Sequence, residues 1–134
     1  AQRAIIIRAD LGGDDITDVV IENGVTGIGK RAFYNCLKLT GITVPAGVKT
    51  IGEKAFDNCR NLETAVINAE NVGIGEYAFY NCKSLSELSL PKIVKNIGKY
   101  AFALCSFTSV TIPTYAFLLV FFIPTAPFSQ HIRQ

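Results

Sequence analysis

Four cysteines, Cys36, Cys59, Cys82 and Cys105, stand 23 residues apart. Thiols at a fixed interval raise three chemistries: metal binding, disulfide pairing and nucleophilic attack. Zinc sites take closely paired ligands such as C-x-x-C, and the chain has none. A nucleophilic thiol needs a base, and the one histidine, His131, sits three residues from the end in a segment expected to fray. If the interval marks stacked repeats, neighbouring Cβ atoms stand about 4.8 Å apart, wider than the ~3.8 Å mean for a disulfide. Four buried free thiols are therefore expected, each serving as a small, soft apolar side chain.

Two charged groups raise other chemistry. The carboxylates of Asp10, Asp14, Asp15 and Asp18 suit a hard cation such as calcium. Their spacing is not that of an EF-hand loop, and a polar turn accounts for them equally well. Lys83, Lys92, Lys95 and Lys99 are opposed in their stretch only by Glu87. They offer a positive field for sulfated glycans or an acidic partner, or else a solvated surface that keeps the chain soluble.

The elements that must position these groups follow from the repeat. "IGKRAFYNC" at 28–36 returns as "IGEKAFDNC" at 51–59, "IGEYAFYNC" at 74–82 and "IGKYAFALC" at 97–105. The full unit is C-x-x-L-x-x-I-x-V-P-x-x-V-x-x-I-G-x-x-A-F-x-x, filled once by Cys36, Leu39, Ile42, Val44, Pro45, Val48, Ile51, Gly52, Ala55 and Phe56. Ile42 and Val44, two apart, mark a strand with both side chains inward, and Pro45, lacking an N–H, closes it. The Gly suits a tight bend or a close backbone approach, and the Ala and Phe after it a short helical or 3₁₀ turn. Phe33, Phe56, Phe79 and Phe102 should then stack as an aromatic spine.

Counting back one period puts a first half-repeat at Ile16, Val19, Ile21 and Val25. Residues 1–15, with the β-rich run "AIIIRA", are expected to cap the open end. Residues 16–113 form the repeats, and 114–134 a divergent apolar segment that is either a second cap or a contact surface. Three departures stand out. In the third copy Ala65 replaces Ile, Asn68 replaces Pro and Val72 comes one place late. After Cys105 the strand segment is one residue short, and "TYAFLLVFFIPTAPFSQHIRQ" leaves the pattern altogether.

Composition is consistent with a folded chain: 134 residues, 49% hydrophobic and 18% charged, suffice for one domain with a continuous core. A net charge of +2 does not favour nucleic acid. The longest apolar run, Ala116–Ile123, is far short of the roughly 20 residues of a membrane span. With no Met and Ala at position 1, a processed or trimmed chain is expected.

The residues of the repeat resemble the BspA-like, or Treponema pallidum-type, leucine-rich repeat family, whose 23-residue unit ends in I-G-x-x-A-F-x-x-C. The resemblance implies a leucine-rich repeat solenoid: a right-handed stack of short parallel β-strands with turn or short-helix return segments, in about four to five coils. Known members are mostly surface or secreted proteins of bacteria and some protists, several implicated in adhesion to host matrix proteins or other microbes. The implied function is a non-enzymatic adhesion or protein-binding module at the cell surface or in secretion, without a cofactor. Its partner would be a host matrix protein or another microbial surface protein, with self-association through 115–128 also open. A structural spacer within a longer surface protein is the alternative, and a metal-dependent hydrolase using the acidic group the remote one.

Consensus positions are core positions, so binding falls to the residues between them. On the solvent side of the strands these are expected in columns: Thr40, Glu63, Ser86 and Thr108; Gly41, Thr64, Glu87 and Ser109; and Val20, Thr43, Val66, Ser89 and Thr111. Mostly small hydroxyl residues, they lack the Trp, Tyr and Arg anchors of interface hot spots.

Overall fold

A computed structural model describes residues 16–107, together with the backbone of Val110–Thr111 and Ile132–Arg133. The expected N-terminal cap at 1–15, most of the divergent segment 114–134 and the stretch 115–128 lie outside the described residues. The strands are β1 (Gly27–Ile28), β2 (Gly41–Val44), β3 (Thr50–Ile51), β4 (Thr64–Ile67), β5 (Val72–Ile74), β6 (Glu87–Ser89), β7 (Val94–Ile97), β8 (Val110–Thr111) and β9 (Ile132–Arg133).

They assort by position within the repeat. One sheet has the order β2-β4-β6 and the other β1-β3-β5-β7, every pair parallel, while β8 pairs with β9. This is a solenoid of about three coils among the described residues, against the four to five expected for the chain. In β2 the pattern is as the alternation requires: Ile42 and Val44 are buried, while Thr43 faces solvent. Pro45 ends that strand. Asn68 stands in its place one coil on, and its N–H, which proline lacks, donates to the Val44 carbonyl at 2.9 Å.

Of the two forms expected for the return segment, turns are the one observed. The N–H groups of Ala32, Tyr34 and Cys36 close turns on Gly29, Arg31 and Phe33. Those of Arg31, Phe33 and Asn35 donate instead to Glu53, Ala55 and Asp57 of the next coil, at 3.0, 2.8 and 2.9 Å. A 3₁₀ helix would use every N–H internally. Here alternate N–H groups must reach the neighbouring coil, so the backbone switches hand twice per return. Arg31, Lys54, Tyr77 and Tyr100 lie at φ 57–59°, and Asn35, Asn58, Asn81 and Leu104 at φ 60–65°. Asn tolerates the left-handed region; Arg, Lys, Tyr and Leu enter it only because the stacking over-determines them.

Coils approach most closely at the glycine column. The N–H groups of Gly52, Gly75 and Gly98 donate to Ile28, Ile51 and Ile74 at 2.8, 2.8 and 2.7 Å. A Cβ on Gly75 would lie 2.8 Å from Glu53 N and Gly52 C, and one on Gly98 2.5 Å from Glu76 N. These are backbone atoms and cannot turn away. With the coils held so close, the four phenylalanines bury completely and stack with centroids 5.2, 4.9 and 5.3 Å apart. Each contributes about 1.5–3 kcal/mol by burial, with about 0.5–1.5 kcal/mol more per ring pair.

The departures have physical counterparts. Because Val72 comes late, β5 carries one outward residue between its buried Val and Ile where β7 carries two. The register therefore slips from Val72↔Val94 to Gly73↔Asn96, leaving Lys95 opposite nothing. At the short end Phe107 fills the Leu position, buried and edge-on to Phe102 at 6.1 Å.

Gly75→Ala is expected to cost about 2–3 kcal/mol in urea unfolding, since overpacking here meets rigid backbone. Gly73→Ala, whose added Cβ would meet only the Asn96 side chain at 3.1 Å, should cost less than half as much.

Candidate functional site

The outer face of β2-β4-β6 carries the expected columns in register. Gly41 pairs with Thr64 and Thr64 with Glu87; Thr43 pairs with Val66 and Val66 with Ser89. Thr40, Glu63 and Ser86 lie just ahead of the strands and are exposed, linked by Glu63 N–H to Thr40 O at 2.8 Å and Ser86 N–H to Glu63 O at 3.1 Å. Val20 is 69% exposed. Since Gly41 has no side chain, a groove of about 440 Å³ opens among Val20, Thr43, Thr64 and Val66. Among the described residues its lining offers hydroxyl groups beside apolar surface and no charged group. The side chains of Ser109 and Thr111, and all of Thr108, lie outside the described residues.

The thiols make a column of a different kind. Cys36, Cys59 and Cys82 are buried, Cys105 is half-buried, and none of the four is in a disulfide. The Cys59, Cys82 and Cys105 thiols donate to the carbonyls of Phe33, Phe56 and Phe79 at 3.1, 3.2 and 3.3 Å. The Phe33 and Phe56 carbonyls therefore have two donors each, for they also accept the Cys36 and Cys59 N–H groups at 3.3 Å, matching their two lone pairs. Contact with the Cys36 side chain, then burial, pushes the Cys59 thiol far above its ordinary range. Burial lifts Cys82 to about 12 and, with Cys82 beside it, raises Cys105. A thiol held protonated is a poor nucleophile and a poor metal ligand.

An asparagine ladder, not anticipated from the sequence, runs beside the thiols. Asn58 donates through Nδ2 to Asn35 Oδ1, and Asn81 through Nδ2 to Asn58 Oδ1 at 2.8 Å. The signal was present, as Asn precedes Cys in three copies. The fourth has Leu104, 53% exposed, and Asn81 Oδ1 is left buried without a donor. The return turns also carry cations over rings: Arg31 on Tyr34 at 5.6 Å, Lys54 on Tyr77 at 5.6 Å and Lys99 on Tyr100 at 5.1 Å, with Tyr77 stacked on Tyr100. Asp57 is buried among them; burial raises its carboxyl, and Lys54 and Arg31 pull it back.

The remaining candidates do not converge. Asp10, Asp14 and Asp15 lie outside the described residues, and Asp18 accepts a hydrogen bond from Thr17 Oγ1 at 3.4 Å. Among the described residues no group of three or more His, Cys, Asp or Glu is placed to hold a metal ion. Lys83 sits in the turn before β6, whereas Lys92, Lys95 and Lys99 surround β7 in the other sheet, so the four lysines do not share one sheet. Among the described residues no helix is long and apolar enough to cross a membrane.

Buried Leu, Ile, Val, Phe and Cys recurring coil after coil beneath an exposed parallel sheet define a leucine-rich repeat solenoid. Residues 11–129 match the BspA type leucine rich repeat region in six copies, and the chain belongs to that family. A solved leucine-rich repeat protein from Bacteroides ovatus is 40% identical, with a TM-score of 0.62 over 69% of this chain and 24% of its own. The T. pallidum leucine rich repeat protein is 29% identical, with a TM-score of 0.62 over 71% of this chain and 46% of its own. A leucine rich cell surface protein from Faecalibacterium prausnitzii is 28% identical, with a TM-score of 0.52 over 69% of this chain and 31% of its own. The chain thus spans less than half the length of each. No curated protein matches it.

Two outcomes are expected from these columns. Unfolded thiols ionise near 9 and native Cys82 only near 12, so between those values the unfolded state releases protons that the native state keeps. Stability should be fully present below pH 9 and fall as pH rises from 9 towards 12, with a shallower slope in Cys82→Ala, measured by urea unfolding across pH. Leu104→Asn should raise stability by about 1–2 kcal/mol in the same assay, since Asn accepts the left-handed backbone and gives Asn81 Oδ1 a donor.

Proposed function

We propose that this chain is a non-enzymatic protein-binding module acting in adhesion at a cell surface or in secretion, and that it engages its partner on the outer face of β2-β4-β6. The observation that carries the reading is the alignment of Thr43, Val66 and Ser89 beside Gly41, Thr64 and Glu87 across three coils. Core positions are committed to stacking, so these outward columns are where the sequence can vary without cost to the fold. A parallel sheet face of this kind gives a partner a flat, repetitive surface, with the groove over Gly41 as the place for a protruding side chain.

The setting draws support from family membership and from the F. prausnitzii relative, described as a leucine rich cell surface protein. A host matrix protein or another microbial surface protein is the partner of this reading. With no aromatic or Arg anchor on the face, affinity would come from many small contacts, in the micromolar range of about −8 kcal/mol.

Purified matrix proteins immobilised on a sensor surface provide the test. Thr64→Arg with Glu87→Arg should weaken binding at least tenfold while the circular dichroism spectrum and thermal unfolding stay as in the parent chain. Undiminished binding by that folded variant would overturn the assignment to this face.

A further inference from the structure

The second sheet holds a notch that the repeat alone does not explain. At β3 and the two residues before it, and within β7, two outward residues separate the buried Val from the buried Ile: Lys49 and Thr50 after Val48, and Lys95 and Asn96 after Val94. The coil between them has only Gly73, because the bulge turns Val72 inward to full burial. Two walls, Lys49 with Thr50 and Lys95 with Asn96, therefore stand two coils apart, about 10 Å at the usual strand spacing, over a floor at Gly73 that carries no side chain of its own and is overhung by the Asn96 amide. The open groove is about 490 Å³.

Its chemistry is that of an anion site. Both lysines are exposed, and Lys95 is the residue the bulge leaves unpaired, where bulges characteristically re-aim a side chain. Thr50 and Asn96 supply a hydroxyl and an amide. The one carboxylate among the described lining residues, Glu70, accepts the backbone N–H groups of Ile93 and Lys92 at 3.2 and 3.4 Å, which ties it to the turn before β7. Ile51 and Ile74, beneath the groove, are each 1% exposed, so no apolar pocket receives a side chain. A partner must be polar along its whole length and negatively charged.

The geometry points to a sulfated polysaccharide as the occupant: a linear chain laid across coils two to four, its sulfates met by Lys49 and Lys95 on either side of Gly73. An acidic peptide would share the charge, but its intervening side chains would find nothing to enter. The site lies on the opposite sheet from the proposed protein-binding face and stands or falls independently of it.

The test is fluorescence anisotropy of a labelled heparin oligosaccharide titrated with the full chain at low ionic strength. Lys49→Gln with Lys95→Gln should weaken binding about tenfold. Gly73→Gln should do the same without changing the charge, and Gly73→Ala, which barely disturbs the coil, should weaken it partially if the larger residue fails to fold. Lys38→Gln with Lys83→Gln, which removes equal charge from turns outside this groove, should change it by less than about twofold. Three results would overturn the assignment: no binding by the parent chain, an equal loss in the Lys38 and Lys83 variant, or polyglutamate binding as tightly as heparin with the same variant pattern.

Discussion

Backbone atoms of successive coils meet at the glycine column, where N–H groups of Gly52, Gly75 and Gly98 reach the preceding coil at 2.7–2.8 Å and leave no room for a Cβ. This approach sets one spacing that every other contact then uses. The phenylalanine rings stack at that spacing, the thiols reach carbonyls one coil back, and the asparagine amides hand hydrogen bonds along the axis. A side chain in the glycine column would lengthen all these contacts together. The left-handed backbone at Arg31, Lys54, Tyr77 and Tyr100 is an expense of the same arrangement, tolerated because alternate N–H groups of the return must point at the next coil.

That spacing explains how residues with chemical potential come to serve packing in the core. A thiol column of four would suggest a metal or redox site in another setting. Here three thiols donate to phenylalanine carbonyls, two of which already have one donor, and burial keeps Cys82 protonated. Cysteine suits the place because it is small, apolar and still a weak donor. The residues that the stack does not consume lie on the outer faces of the two sheets, and both proposed binding surfaces are built from them.

The two faces differ in how they arise. The β2-β4-β6 face is a product of regularity: unbroken register lines up Thr, Val, Ser and Glu from coil to coil. The notch on β1-β3-β5-β7 is a product of irregularity, one missing outward residue in the third coil. In a repeat protein both modes are available, because a local defect leaves the flanking coils able to hold their shape.

The 23-residue recurrence of Ile, Gly, Ala, Phe and Cys by itself determined the parallel stack, the strands of the β2-β4-β6 sheet and the register of the outward columns, since a residue buried in one coil must be buried in all; the second sheet, β1-β3-β5-β7, lies in the segment read from the sequence as a corner and return. The late Val72 was likewise visible in the chain. Only the tertiary structure decided the rest. Whether the return was a helix or a set of turns depended on where alternate N–H groups found acceptors, which lie in another coil. The asparagine ladder, the thiol donors on the Phe carbonyls and the facing of Lys49 and Lys95 across Gly73 join residues separated by one or two full coils. Such pairings exist only once the coil spacing has been fixed, and the glycine column fixes it in three dimensions.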